Sequence, residues 1–289
     1  MSALKQARAA LSEMLRRRSG GQCENANCAY TNPLRKFLRR HDGGVFLQGR
    51  WYCSLDCFEQ GITNAFAELI KLPDEPLARL HRIPLGLLLL GRGVITEIEL
   101  KTALQAQRET GNERLGRALV RLGIASSDQV SEALAAQWGC VVFPVDQDQR
   151  YRECCQLLPM ALLESSRMLP MRYMKESQLL FLAFAEDIDH TTIYAIERLL
   201  PGRTQPCVIT EAAMDQALEE IRSRPRPDEI VFENFLEAAE MARIIRDYAV
   251  QIGAEELILA RPRRFLWVRL KASGQSWDLL FRLPSVAPH

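Results

Sequence analysis

The sequence predicts an α+β, multidomain protein, and three observations carry that expectation. Four of its eight cysteines fall in two close pairs, Cys23 with Cys28 and Cys53 with Cys57. A pattern of leucines, glycines and a terminal glutamine occurs twice between residues 84 and 137. Beyond residue 138 the helical periodicity gives way to short strands alternating with helices. The expected parts are an N-terminal helix plus four-cysteine module over 1–72, a helical duplicated-motif domain over 73–222 (motifs 84–107 and 114–137, then a small α/β lobe 138–222), and a linker plus small α+β domain over 223–289.

The chain opens on a helical stretch, Ala3 to Arg18, that ends at Ser19-Gly20-Gly21, since glycine stops a helix. Residues 1–50 carry ten Lys or Arg against three Asp or Glu, although the formal charge of the whole chain is only +1. A near-neutral chain argues against general attraction to nucleic acid or anionic lipid, and the basic end is where an acidic partner would dock. The longest apolar-plus-glycine run, Leu85 to Gly91, is far shorter than the roughly 20 residues of a membrane span. No apolar secretory core stands at the N-terminus. With Cys140, Cys154, Cys155 and Cys207 read as buried thiols, a cytoplasmic address is expected.

Cys23-x4-Cys28 and Cys53-x3-Cys57 are spaced so that each pair chelates one ion, and four thiolates suit one tetrahedral Zn²⁺. Gly43 to Tyr52 reads as a hairpin delivering Cys53, and Ser54 to Leu72 as a helix presenting Cys57 in its first turn. The layout resembles a treble-clef or FCS-type finger. Four protein ligands leave no place for water, so the expected zinc, about one per chain, is structural and not catalytic. Lys71 to Pro84, with three prolines, reads as a linker.

In the duplicated stretch, Gly86 and Gly116, Gly93 and Gly123, and Gln107 and Gln137 each stand thirty residues apart. Such recurrence means a duplicated helix-turn-helix unit, and two like units offer two like half-sites to a two-fold symmetric ligand. Thr96-x-x-Glu99 is a capping box, and Ser126 or Ser127 caps the equivalent helix. Leu100, Leu104 and Gln107 share one helical face, as do Val130, Leu134 and Gln137, so each glutamine is expected to be buried with its leucines and to need a backbone or ligand partner. Gly86 and Gly116 let something approach the backbone closely. Arg114 can pair with a phosphate or stack on a purine.

After the repeat come a strand Val141–Phe143, a helix Tyr151–Leu158, a strand pair Met168–Tyr173 and Gln178–Phe184, a helix Asp189–Leu200, a strand Pro206–Ile209 and a helix Glu211–Arg222. Ser223 to Asp228 is the clearest linker. A helix Glu233–Ile252, with an apolar stripe that begins at Phe235, then lies on three strands, Glu256–Ala260, Phe265–Leu270 and Trp277–Leu283.

The tandem pattern R-L-G-x-x-L-x-x-x-G-x6-L-x-x-x-L-x-x-Q resembles the MshE N-terminal domain, the cyclic di-GMP receptor module of secretion and pilus ATPases. The resemblance implies a ligand site made of Arg114, Leu115, Gly116, Leu119, Gly123, Val130, Leu134 and Gln137 in the second motif. From the first it implies Leu85, Gly86, Leu89, Gly93, Leu100, Leu104 and Gln107. The first motif has Pro84 where the family has arginine, and Arg82 comes two residues early. Leu158-Pro159, Met168-Leu169-Pro170 and the strand Leu179–Phe184 are similar to the rest of the N-terminal domain of the GspE/PilB ATPases. Ala242 to Ala249, Gly253 to Leu259 and Val268-Arg269-Leu270 resemble their second, PAS-like domain, with Glu255, Glu256, Ile258 and Ala260 replacing its polar signature.

No Gly-x4-Gly-Lys-Ser/Thr occurs, and Gly86 to Gly93 lacks the lysine and hydroxyl that phosphate and Mg²⁺ require. His190 beside Asp187 and Asp189 has no accompanying nucleophile. The expectation is therefore a non-enzymatic cyclic di-GMP-responsive receptor or adaptor that acts on a pilus or secretion partner. The alternatives are a degenerate scaffold of such a system that no longer binds nucleotide, and a nucleic-acid binder using the basic end.

Overall fold

The computed structural model describes residues 23–28, 44–71, 82–111, 113–145, 150–224 and 228–283. The helix expected at Ala3–Arg18 and most of the Lys71–Pro84 linker lie outside them. In chain order the elements begin with β1 (Val45–Leu47), β2 (Arg50–Tyr52), α1 (Leu55–Lys71), α2 (Leu85–Gly91), α3 (Glu97–Thr110), α4 (Leu115–Arg121) and α5 (Ser127–Trp138). Then come β3 (Val141–Val142), α6 (Tyr151–Cys154), α7 (Met160–Ser165), β4 (Met168–Met174), β5 (Leu179–Phe184), α8 (His190–Leu199), β6 (Arg203–Val208) and α9 (Glu211–Arg222). The last are β7 (Glu229–Phe232), α10 (Ala238–Gln251), β8 (Glu256–Ala260), β9 (Phe265–Ala272) and β10 (Gln275–Arg282). None of the described helices is long and apolar enough to cross a membrane.

The chain divides into two compact units, the first built from the 1–73, 230–260 and 266–284 segments and the second chiefly from 74–229. In the first unit the cysteine hairpin and the C-terminal strands, which the sequence presents as separate parts, share one six-stranded sheet of order β2-β1-β8-β9-β10-β7. β1 runs parallel to β8, pairing Phe46 with Glu256 and Leu47 with Leu257. One core follows from that sheet: Phe58, Ile62 and Phe66 of α1 are buried together with Met241, Ala242 and Ile245 of α10 and with Leu257, Leu259, Val268 and Leu270. The arginine on β9, Arg269, is 7% exposed, and its Nε and Nη2 donate to the Asp278 carboxylate at 2.8 and 2.7 Å. A buried cation held on both nitrogens is satisfied by structure alone.

The helix expected from Glu233 starts at Ala238 instead. Residues 233–237 carry the chain from β7 to the helix, which leaves Phe235, read as part of the apolar stripe, 63% exposed.

In the second unit α2–α5 enclose a small core of Leu89, Ile95, Ala103, Leu119, Ala125, Val130 and Ala133. The expected capping box at Thr96 forms, and of the two serines offered as the cap of α5 it is Ser126 that serves, in a capping box of its own. Thr96 Oγ1 accepts from the Glu99 backbone N–H at 3.3 Å while Glu99 accepts from the Thr96 N–H at 2.7 Å, and Ser126 with Gln129 does the same at 3.2 and 2.8 Å. α2 and α4 end alike, at Gly93 and Gly123, both with φ of 69°. That left-handed turn favours glycine and stops each helix. The lobe is a four-stranded sheet, β3-β6-β5-β4, with β6 parallel to both β3 and β5 and β4 antiparallel to β5.

Candidate functional site

Two groups of residues carry chemistry, one in each unit. In the first, the Sγ atoms of Cys23, Cys28, Cys53 and Cys57 all lie within 4.8 Å of one another. Cys28 to Cys53 is 3.5 Å and Cys53 to Cys57 is 4.0 Å. Sulfurs about 2.3 Å from one Zn²⁺ in a tetrahedron stand about 3.8 Å apart, so the donor set suits that ion. The β1–β2 hairpin turns through Gln48 and Gly49, both in the left-handed region, to bring Cys53 up, and Cys57 sits in the first turn of α1. Asn25 closes the other loop: its carbonyl accepts from the Cys28 N–H at 3.0 Å and its amide donates to Gln60 at 2.8 Å. As bare thiols, Cys23 and Cys53 are pushed up by burial, and the adjacent thiols add to the rise at Cys53. Burial also acts to raise Cys57, but hydrogen bonds from Ser54 and Asn25 outweigh it and lower that thiol. An open cavity of about 1520 Å³ lies beside Cys53, lined by Ser54, Leu55, Val250, Glu256 and Lys271 among others; no motif residue lines it.

The second group is the duplicated motif. A Cβ added at Gly86 would stand 2.7 Å from Leu100 Cδ1 and 3.1 Å from Leu115 Cδ2. One at Gly116 would stand 2.9 Å from Val130 Cγ1 and 3.5 Å from Leu85 Cδ2. The relation is reciprocal: each glycine faces the third-helix-face residue of its own motif and the first leucine of the other. What approaches these glycines closely in the structure is therefore the protein's own side chains. Leu89, Leu119 and Val130 are buried, and Leu85, Leu100, Leu115 and Leu134 pack half-buried against the same core. Leu104, expected to be buried, is 37% exposed and is not among the residues packed on that core. Gln107 and Gln137 are half-buried rather than enclosed. Gln137 finds a backbone partner, donating from Nε2 to the Ile83 carbonyl at 2.8 Å, whereas the Gln107 side chain makes no hydrogen bond among the described residues.

Arg114 and Pro84 occupy the same position, the N-cap, of α4 and α2, with extended backbone in both. Arg114 reaches the loop after β5, where its Nε pairs with Glu186 at 2.8 Å and its Nη1 with Asp187. Glu186 is shared, at 3.4 Å from Arg117 and 3.7 Å from Arg167. Arg117 also holds Glu211 at 2.9 Å, and Arg167 holds Asp215 at 2.8 Å. Arg82 lies with its guanidinium 3.3 Å over the centre of the Trp138 ring and 3.5 Å from His190 Nε2. Burial there, then the nearby Arg82 cation, holds the His190 imidazole below its usual range. Sequence reasoning missed the Arg82–Trp138–His190 cluster and the acidic pair Glu186–Asp187, because their partners stand 50 to 110 residues apart and no local spacing announces them.

The MshEN domain family matches residues 138–228, the lobe that follows the tandem motifs. A bacteriophage adsorption protein B of Escherichia coli K12 is 28% identical over 143 residues, half of this chain and 19% of that protein. The type IV pilus assembly ATPase PilB of Thermus thermophilus is 25% identical over 134 residues, 46% of this chain and 15% of that protein. The chain thus spans less than a fifth of the length of these curated relatives. Among solved structures, one of MshE with cdg is 27% identical, covers 48% of this chain and 99% of that one, and has a TM-score of 0.41. The N-terminal domain of XpsE is 21% identical, with 47% and 91% covered and a TM-score of 0.35.

Proposed function

We propose, from the premise that residues 138–228 are an MshEN domain similar to the N-terminal domains of the MshE, XpsE and PilB ATPases, that this chain is a cytoplasmic, non-enzymatic receptor or adaptor for cyclic di-GMP. The observation that supports it most is the reciprocal packing of the two motifs, in which Gly86 meets Leu115 and Gly116 meets Leu85. A two-fold ligand has a two-fold counterpart in that arrangement, and MshE is a relative whose structure is described with cdg. The ligand-binding residues in this reading are those of the two motifs, with Arg114 as the charged contact. The four cysteines hold one structural Zn²⁺, and the first unit, PAS-like in its C-terminal part, passes the bound state to a pilus or secretion component.

One set of observations favours a second reading, a scaffold that keeps the fold and no longer binds nucleotide. Pro84 replaces an arginine, and Arg114 is already ion-paired to Glu186 and Asp187. Isothermal calorimetry separates the two. Saturable heat with cyclic di-GMP at micromolar protein, lost in Arg114→Ala, is the outcome of the receptor reading, and no heat in the unmodified protein leaves the scaffold.

A further inference from the structure

We infer that Arg82 supplies the cation Pro84 withholds from the first motif, and that Asp187 is a built-in carboxylate which an incoming phosphodiester displaces. The inference rests on the cyclic di-GMP reading above and assigns the anion-recognising groups of that site.

Three observations converge on one loop. Arg114, from the second motif, pairs with Glu186 and Asp187 between β5 and α8. Arg82, just ahead of the first motif, reaches His190 at the start of α8, so an arginine of the second motif and one beside the first both reach the 186–190 segment. Asp187 also draws on the Arg82 charge, as its opposing effect on the guanidinium indicates. A proline cannot reach an anion from position 84. The chain ahead of it is fixed by the Gln137 bond to the Ile83 carbonyl, and the Trp138 ring, the next residue on α5, carries the Arg82 guanidinium at 3.3 Å. A guanidinium stacked on an indole is held in plane, and its N–H groups beyond the one that meets His190 can fork onto an oxyanion.

The carboxylates of the loop differ in what else they do. Asp189 caps α8, accepting from the Thr192 N–H at 3.1 Å and its hydroxyl at 2.7 Å, and Glu186 is shared among three arginines. Asp187 is 62% exposed and, among the described residues, is ion-paired to Arg114 alone. An exposed ion pair contributes little, so a phosphate oxygen with the same charge and better forked geometry replaces it readily. The indole N–H of the Trp138 ring that carries Arg82 is itself buried and without a hydrogen-bond partner among the described residues.

The test is calorimetric titration of the whole protein with cyclic di-GMP. Arg82→Ala is expected to weaken binding about tenfold or more, as loss of a charge-assisted contact does. Pro84→Arg added to Arg82→Ala restores it, and Asp187→Asn tightens binding relative to the unmodified protein. Melting temperatures without ligand read the stacking role separately, since an arginine that merely packs on Trp138 changes those and leaves Kd alone. No heat from the unmodified protein defeats the receptor reading itself. Binding by the unmodified protein, with Arg82→Ala within about twofold of it, overturns this inference only. Where Arg82→Ala does not fold, Asp187→Asn decides, and unchanged or weaker binding overturns the inference.

Discussion

The side chain of Gln137 donates to the backbone carbonyl of Ile83 at 2.8 Å, tying the end of the second motif to the residue ahead of the first. The bond crosses 54 positions in sequence, and it sets where the chain enters α2. Because Ile83 is 58% exposed, water takes over its carbonyl when the amide is removed. Gln137→Ala is therefore expected to cost about 0.5–1 kcal/mol, the low side of a net hydrogen bond. Gln107→Ala is the internal control, as its amide has no such partner among the described residues. Equal losses in denaturant titrations of the two variants would contradict this role.

The two motif glycines, alike in sequence, should differ in what they tolerate. A methyl at Gly86 meets the tip of Leu100 at 2.7 Å, and a leucine tip can turn away. At Gly116 the neighbour is Val130 Cγ1 at 2.9 Å, on a β-branched side chain with one strongly preferred rotamer in a helix. Alanine also gains about 1 kcal/mol of helix propensity over glycine at either site. Gly86→Ala should come out within about 1 kcal/mol of the unmodified protein, and Gly116→Ala about 1–3 kcal/mol less stable through overpacking. Thermal melts that rank them the other way would show that the valine yields more easily than the leucine.

Features written in local spacing are legible in the order of amino acids alone. The capping box at Thr96 and Glu99, the cysteine pairs and the strand pair Met168–Met174 with Leu179–Phe184 each depend on residues within a few positions of one another. The parallel pairing of Phe46 with Glu256 is not legible there, for a three-residue strand bears no mark of a partner two hundred residues away. Leu104 misleads for a different reason. Its i, i+4 spacing from Leu100 puts both on one side of α3, but the core is narrow enough to take Leu100 and leave Leu104 at 37% exposure. The side chains nearest the two glycines, Leu100 at Gly86 and Val130 at Gly116, stand fourteen residues on in the same motif, and the spacing alone does not show that they come so close.

Metal removal should act on the first unit. Cys28 and Cys57 are buried in the core that also holds Phe58, Ile62 and Leu257, so metal loss leaves that core without the ion that ties the two cysteine pairs together. Metal analysis is expected to give about one zinc per chain. Cys57→Ser should release it and destabilise that unit by about 4 kcal/mol or more, as loss of a structural metal does. Because the ligands bind as thiolates, affinity should also fall as pH falls. Protein that is metal-free and melts at the same temperature after exhaustive chelation would refute a structural zinc.

The pH response of the second unit should trace to His190. Its imidazole lies 3.5 Å from the Arg82 guanidinium and 5.7 Å from the Trp138 ring, while Asp189 favours the proton. Burial first, and then Arg82, depress its pKa in the folded protein. In the unfolded chain a histidine titrates near about 6.5, so just below that value the unfolded state holds the extra proton and the folded state does not. Stability from the neutral ring is accordingly full above about pH 6.5 and is lost as pH falls toward the lower folded pKa. His190→Gln should flatten that slope in melts between about pH 7.5 and 5, on the order of one proton's worth. An imidazole NMR titration that places the His190 midpoint at or above about 6.5 would reverse the sign, and with it the claim that the ring stays neutral beside Arg82.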